Sequence, residues 1–135
     1  MKIRNWLHWL PAFALMALIF FSSSIPDTGI QTSFSSKPLV IPSFGAANKL
    51  IKKTSHAFFY GILALSYLFA LQKDTQRNRK LALLLTFLYA ISDEVHQLFV
   101  PTRGASFLDI AIDSLGAWIA LFILKKPNSK SLPPR

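Results

Sequence analysis

Apolar residues gather into four runs, Trp6 to Phe21, Ser55 to Leu71, Leu81 to Val100 and Phe107 to Leu124, of 16, 17, 20 and 18 residues. An α-helix rises ~1.5 Å per residue, and crossing the hydrocarbon of a bilayer takes about 20 residues, with ~17 near the lower limit. The pattern predicts an all-α chain, an integral membrane four-helix bundle in a single domain over residues 1–135, with spans at about 6–21, 55–71, 81–100 and 107–124. Residues 22–54 contain SSSIP, SSKP and VIPSFG, keep no helical or strand period, and are expected to form an external loop. Its end, NKLIKKTSH, is expected to start a helix in the headgroup region before turning into the second span. The short polar link QKDTQRNRK makes the second and third spans an antiparallel hairpin, and KKPNSKSLPPR reads as an unstructured cytoplasmic tail over 125–135.

The first run follows Lys2 and Arg4, the basic-then-apolar order of a secretory signal. No A-x-A site follows it, and Trp6, His8 and Trp9 suit an interfacial aromatic belt, so a retained helix with Pro11 in its first turns is expected. Hydrophobic residues make up 52% of the chain, above the share in ordinary soluble domains.

A net charge of +9 raises the question of a nucleic-acid partner. The basic residues flank apolar runs instead. Four crossings would put ten of the 15 on one side, before the first span, between the second and third, and after the fourth. The positive-inside rule then places both termini in the cytoplasm of a cell-membrane protein whose partners are lipids, not nucleic acid. With no cysteine, disulfides and thiol chemistry are excluded.

Four of the six acids lie in SDEVHQLFVPTRGASFLDIAID, residues 92–113. In this topology the second and fourth spans start outside and the third ends there. His56, Asp93, Glu94, His96, Gln97, Arg103, Asp109 and Asp113 therefore lie toward one leaflet. Lys53, His56 and Tyr60 share a helical face that Tyr67 extends, and Asp93 and Gln97 are one turn apart. Asp109 and Asp113 share a face with Gly116, Ala117 and Ala120, small residues that permit close helix approach, while Leu108, Ile112, Leu115, Ile119 and Phe122 lie opposite and suit lipid. A central Asp costs ~2.5–3.5 kcal/mol on insertion and each Leu, Ile or Phe returns ~0.3–0.6, so the fourth span inserts if Asp113 finds water, a proton or a cation.

Two explanations fit so many ionisable groups. One is a buried ion-pair network, with Arg103 satisfying Asp109 or Asp93 and His56 satisfying Glu94. The other is a functional site, the default reading for intramembrane ionisable residues. In the second, His56 and Asp93 or Glu94 act as base and acid. Lys53, Tyr60, Gln97, Arg103 and Asp109 line the substrate site, with Arg103 and Lys53 on phosphate or carboxylate.

These residues resemble the VanZ-like family of small multi-pass membrane proteins, named for a teicoplanin-resistance protein. The likeness rests on KTSHAFFYG (Lys53 to Gly61), DEVHQ (Asp93 to Gln97), FVPTR (Phe99 to Arg103), SFLD (Ser106 to Asp109) and Gly116, in order and spacing. Thr102 stands where the pattern has Gly, and Asp113 where it has Asn. The resemblance implies a link to glycopeptide or lipoglycopeptide susceptibility and no settled activity. The expected function is an outward-facing polar site that binds or modifies an envelope lipid or surface-polymer precursor. Alternatives are a non-enzymatic binding or scaffold protein, and a metal-dependent lipid phosphotransferase suggested by the D-x-x-x-D of Asp109 and Asp113. No cofactor motif accompanies the latter, neither a Gly-rich phosphate loop nor H-E-x-x-H.

Overall fold

The computed structural model describes residues 6–25, 42–101 and 103–123, without the side chains of 42–49 and 52. The described residues form four α-helices and no strand. A 3₁₀ turn, Trp6–Trp9, leads into α1, Leu10–Ser23. Pro11 sits in the first turn of α1, where its missing N–H has no intrahelical acceptor to serve. Helix α2 runs Pro42–Ala70, α3 Gln76–Gln97 and α4 Phe107–Ile123. Most of the expected external loop, the C-terminal tail and Thr102 lie outside the described residues.

The helix bounds differ from the apolar runs in physically simple ways. Residues 42–54 belong to α2, which passes through NKLIKKTSH without a turn. No Gly or Pro occurs between Gly45 and Gly61, so nothing there interrupts the backbone ladder. Helix α3 starts five residues before Leu81 because Thr75 caps it, accepting a hydrogen bond from the Asn78 N–H at 3.2 Å. Ahead of that cap, Gln72 ends α2 in the left-handed region, φ 61°. Buried Arg79 donates from Nε and Nη2 to the two oxygens of Asp74, both at 2.5 Å, tying the first turn of α3 to the link.

Helix α2 is the axis of the bundle, packed along α4 and against α3 and α1. Tyr60, Leu63 and Ala64 of α2 meet Ala117 and Leu121 of α4, with Ala82 and Ala90 of α3 and Ala12 and Ile19 of α1 completing the core. Two glycines set the α2/α4 distance. A Cβ on Gly116 would strike the carbonyl group of Ala57, and one on Gly61 would stand 3.2 Å from the Gly116 carbonyl oxygen. The small-residue face anticipated for the fourth helix is the one turned inward.

Around the apolar core, several polar side chains are buried while many large apolar ones face outward. Asp113 is 2% exposed and Phe107, on the same helix, 92%. Asp93, Glu94, Gln97 and Arg79 are also buried, whereas Phe21, Leu50, Phe58, Phe99, Leu108 and Leu115 stand outward. Among the described residues one helical stretch, Trp6–Ser23, is long and apolar enough by composition to cross a membrane. Helix α4 has 17 residues, α2 carries Lys and His in its first half, and α3 carries charged side chains at both ends.

Candidate functional site

The polar cluster forms where α3 and α4 join, beside the end of α1 and the middle of α2. Within α3, one helical turn sets Asp93, Glu94 and Gln97 side by side. The Gln97 amide donates to Asp93 Oδ2 at 3.0 Å and to Glu94 Oε1 at 3.3 Å, so one neutral residue holds two carboxylates. Asp93 Oδ2 also accepts from Ser23 Oγ of α1 at 2.8 Å.

Glu94 fixes the loop. Its Oε2 accepts from the backbone N–H of Ser106 at 2.7 Å, immediately before α4. That N–H has no acceptor within its own helix, and a carboxylate there also suits the positive end of the α4 dipole. The contact holds the Arg103–Ser106 segment over the end of α3. From α2, Lys53 reaches across to Asp109 of α4, Nζ to Oδ1 at 2.5 Å. Asp113 lies one turn deeper on the same face, buried, where the charges of Asp93, Asp109, Glu94 and Lys53 all reach it.

The ion pairing therefore differs from the network considered from sequence. Asp109 takes Lys53, and Glu94 takes the Ser106 N–H and Gln97, in place of Arg103 and His56. Arg103 is half-buried, and its backbone N–H donates to the Val100 carbonyl at 3.2 Å. Its guanidinium acts on Glu94 through its charge, yet Nε is buried without a hydrogen-bond acceptor. His56 is half-buried and borders a small cavity of about 100 Å³ with Leu18, Ile19, Ser22 and Phe59. Its ring stacks toward fully buried Tyr60, centroids 6.4 Å apart, and Tyr60 in turn meets Tyr89 at 6.1 Å. The Tyr60 hydroxyl lies within reach of the Asp93 charge, but neither it nor Asp93 Oδ1 completes a hydrogen bond.

Helix α1 supplies contacts that the sequence did not single out. Besides Ser23, Ser24 Oγ lies 2.9 Å from His96 Nε2, and Phe20 stacks on the same imidazole with centroids 4.1 Å apart. The signal was the Ser22-Ser23-Ser24 run closing an otherwise apolar helix. Among the described residues no three His, Asp or Glu side chains converge closely enough to hold a metal ion. The D-x-x-x-D pair is divided, Asp109 toward Lys53 and Asp113 into the core.

A family model described as VanZ/LLP1 matches residues 8–127, nearly the whole chain. The chain belongs to the VanZ/LLP1 family. No curated protein and no solved structure matches it. In this VanZ/LLP1 member the segments that carry the family likeness, KTSHAFFYG, DEVHQ, FVPTR and SFLD, come from three helices and one loop. From them Lys53, Asp93, Glu94, Gln97, Ser106 and Asp109 meet at one end of the bundle. The family match spans all four helices and so includes α1, which closes the cluster through Ser23.

Proposed function

We propose that the four helices cross a cell membrane with both termini in the cytoplasm. The cluster opens outward and binds the phosphate or carboxylate of an envelope lipid or surface-polymer precursor. Arg103 is the observation that carries this reading. Lys53 has Asp109 and the α3 carboxylates have Gln97, Ser23 and Ser106, while the guanidinium of Arg103 keeps a buried donor without an acceptor. A planar fork of donors is suited to an oxyanion, which can take two of its hydrogen bonds at once. The many outward apolar side chains support the membrane setting, since exposed Phe, Leu and Ile side chains are stable against acyl chains. A precursor held at the outer surface would also account for the glycopeptide link that the family name carries.

Turnover of the bound molecule is a second reading, and Asp93 favours it. Its Oδ2 is fixed by two donors while its Oδ1 is buried near Tyr60, an arrangement that orients a proton acceptor. Binding and catalysis separate on substitution: Asp93→Asn in a catalyst keeps the ligand and loses conversion, and in a pure binding protein there is no conversion to lose.

Native mass spectrometry of lipids retained by the purified protein tests the binding claim. The wild type and Lys73→Gln are expected to carry the same anionic lipid or polyprenyl phosphate, and Arg103→Gln to lose it. Identical retained lipids in all three would overturn the assignment.

A further inference from the structure

The α3/α4 face away from the His56 cluster carries a second feature. An open groove of about 550 Å³ runs between the two helices, with Lys80, Leu84 and Phe87 on one wall and Ala111, Ser114 and Trp118 on the other. Each set follows a single helical face, and small Ala111 and Ser114 make the floor recede between bulkier neighbours. The Glu94–Ser106 hydrogen bond fixes the register of the antiparallel pair. Trp118, twelve residues beyond Ser106, is thus level with Ala82, twelve before Glu94, and so lies close to Lys80 at the far end from the polar cluster.

Chemistry is graded along the groove. Lys80 is exposed and makes no ion pair among the described residues, in contrast to buried Arg79 beside it, which is committed to Asp74. Trp118, 47% exposed, adds an indole N–H. Both groups donate hydrogen bonds and neither accepts, so this end calls for an anion. One turn toward the middle, Ser114 Oγ is buried without a hydrogen-bond partner. Beneath Lys80 and Trp118 the other wall is apolar: by the same register Leu84 lies between them and Ser114, and Phe87 stands beside Ser114.

We infer that this groove is a binding site for an anionic phospholipid of the inner leaflet, with the phosphate at Lys80 and Trp118 and an acyl chain along Leu84 and Phe87. Lipid chemistry has the same order as the groove: phosphate outermost, hydrocarbon beneath. Lysine and tryptophan at the headgroup level with apolar residues beneath match where these side chains lie in membranes. The site is separate from the Arg103 cluster and faces the opposite leaflet.

Tryptophan quenching by acyl-chain-brominated lipids tests the inference, using the full chain with Trp6→Phe and Trp9→Phe so that Trp118 alone reports. Brominated phosphatidylglycerol titrated into detergent solution is expected to quench saturably at several-fold lower concentration than brominated phosphatidylcholine. Lys80→Gln should remove that preference. Ser114→Leu, which fills the groove at unchanged charge, should lower quenching by both lipids, while Lys73→Gln leaves it unaltered. Equal quenching by the two lipids, or loss of the preference in Lys73→Gln, would overturn the headgroup assignment. If a second copy of the chain covers the groove, Trp118 will resist quenching by either lipid, which also overturns the site.

Discussion

Substitution of Gly116 probes the contact on which the site is built. An added Cβ would stand 2.8 Å from the Ala57 carbonyl carbon and 3.0 Å from its Cα, with the carbonyl oxygen nearer still. Carbon atoms rest at ~3.5–4.0 Å, so α2 and α4 must part by about 0.5–1 Å. The obstacle is backbone, which cannot swing aside, and this puts the cost at about 3 kcal/mol, the upper end for overpacking. Alanine returns about 1 kcal/mol as the better helix former, leaving Gly116→Ala less stable by about 2 kcal/mol. At roughly 4 °C per kcal/mol for a chain of this size, the thermal midpoint falls by about 8 °C. Circular dichroism in detergent reads this directly, and the protein supplies its own comparisons. A Cβ on Gly61 meets the Gly116 oxygen at 3.2 Å and Ala120 Cβ at 3.3 Å, and one on Gly104 meets nothing within 4 Å. The expected order of destabilisation is therefore Gly116→Ala, Gly61→Ala, Gly104→Ala, with the last near zero. Equal midpoints for Gly116→Ala and Gly104→Ala would refute the close α2/α4 approach, and with it the geometry that lets Lys53 reach Asp109.

Three further outcomes follow from single contacts. Ser23→Ala deletes a donor to buried Asp93, costing about 1–2 kcal/mol in the same melting assay, and lipid retention through Arg103 should weaken as α1 loosens. Ser106→Pro removes the N–H that Glu94 holds at the residue before α4, where no intrahelical hydrogen bond uses that N–H, so Arg103-dependent lipid retention should fall several-fold with little change in helix content by circular dichroism. Asp74→Asn leaves the buried Arg79 guanidinium without its carboxylate and should lower stability by about 1–3 kcal/mol, below the value for a fully buried pair because Asp74 is half exposed.

Much of this was legible along the chain, and what was not has identifiable causes. The inward face of α4 was readable because Asp109, Asp113, Gly116 and Ala117 recur at helical spacing opposite Leu108, Leu115 and Ile119. Phe122, expected on the lipid face, instead packs half-buried against the core, as a residue at the border of two faces can. Pairings across helices were not readable. Lys53 with Asp109 depends on the α2/α4 register, which two glycines set by contact distance and no single-helix pattern encodes. The part played by α1 was hidden because three consecutive serines read equally well as the start of a loop. The early start of α2 was masked by the Pro, Ser and Gly that open it, residues of turns elsewhere.

The central claim is that the Arg103 loop faces outward from a membrane-spanning bundle, and a chain free of cysteine makes it directly testable. Single cysteines at exposed Ala105, in that loop, and at exposed Gln76, at the opposite end of α3, would be treated with a membrane-impermeant maleimide in intact cells. Ala105→Cys is expected to label at once and Gln76→Cys only after the membrane is permeabilised. Labelling of Gln76→Cys in intact cells with Ala105→Cys protected would contradict it, turning the polar site to the cytoplasm.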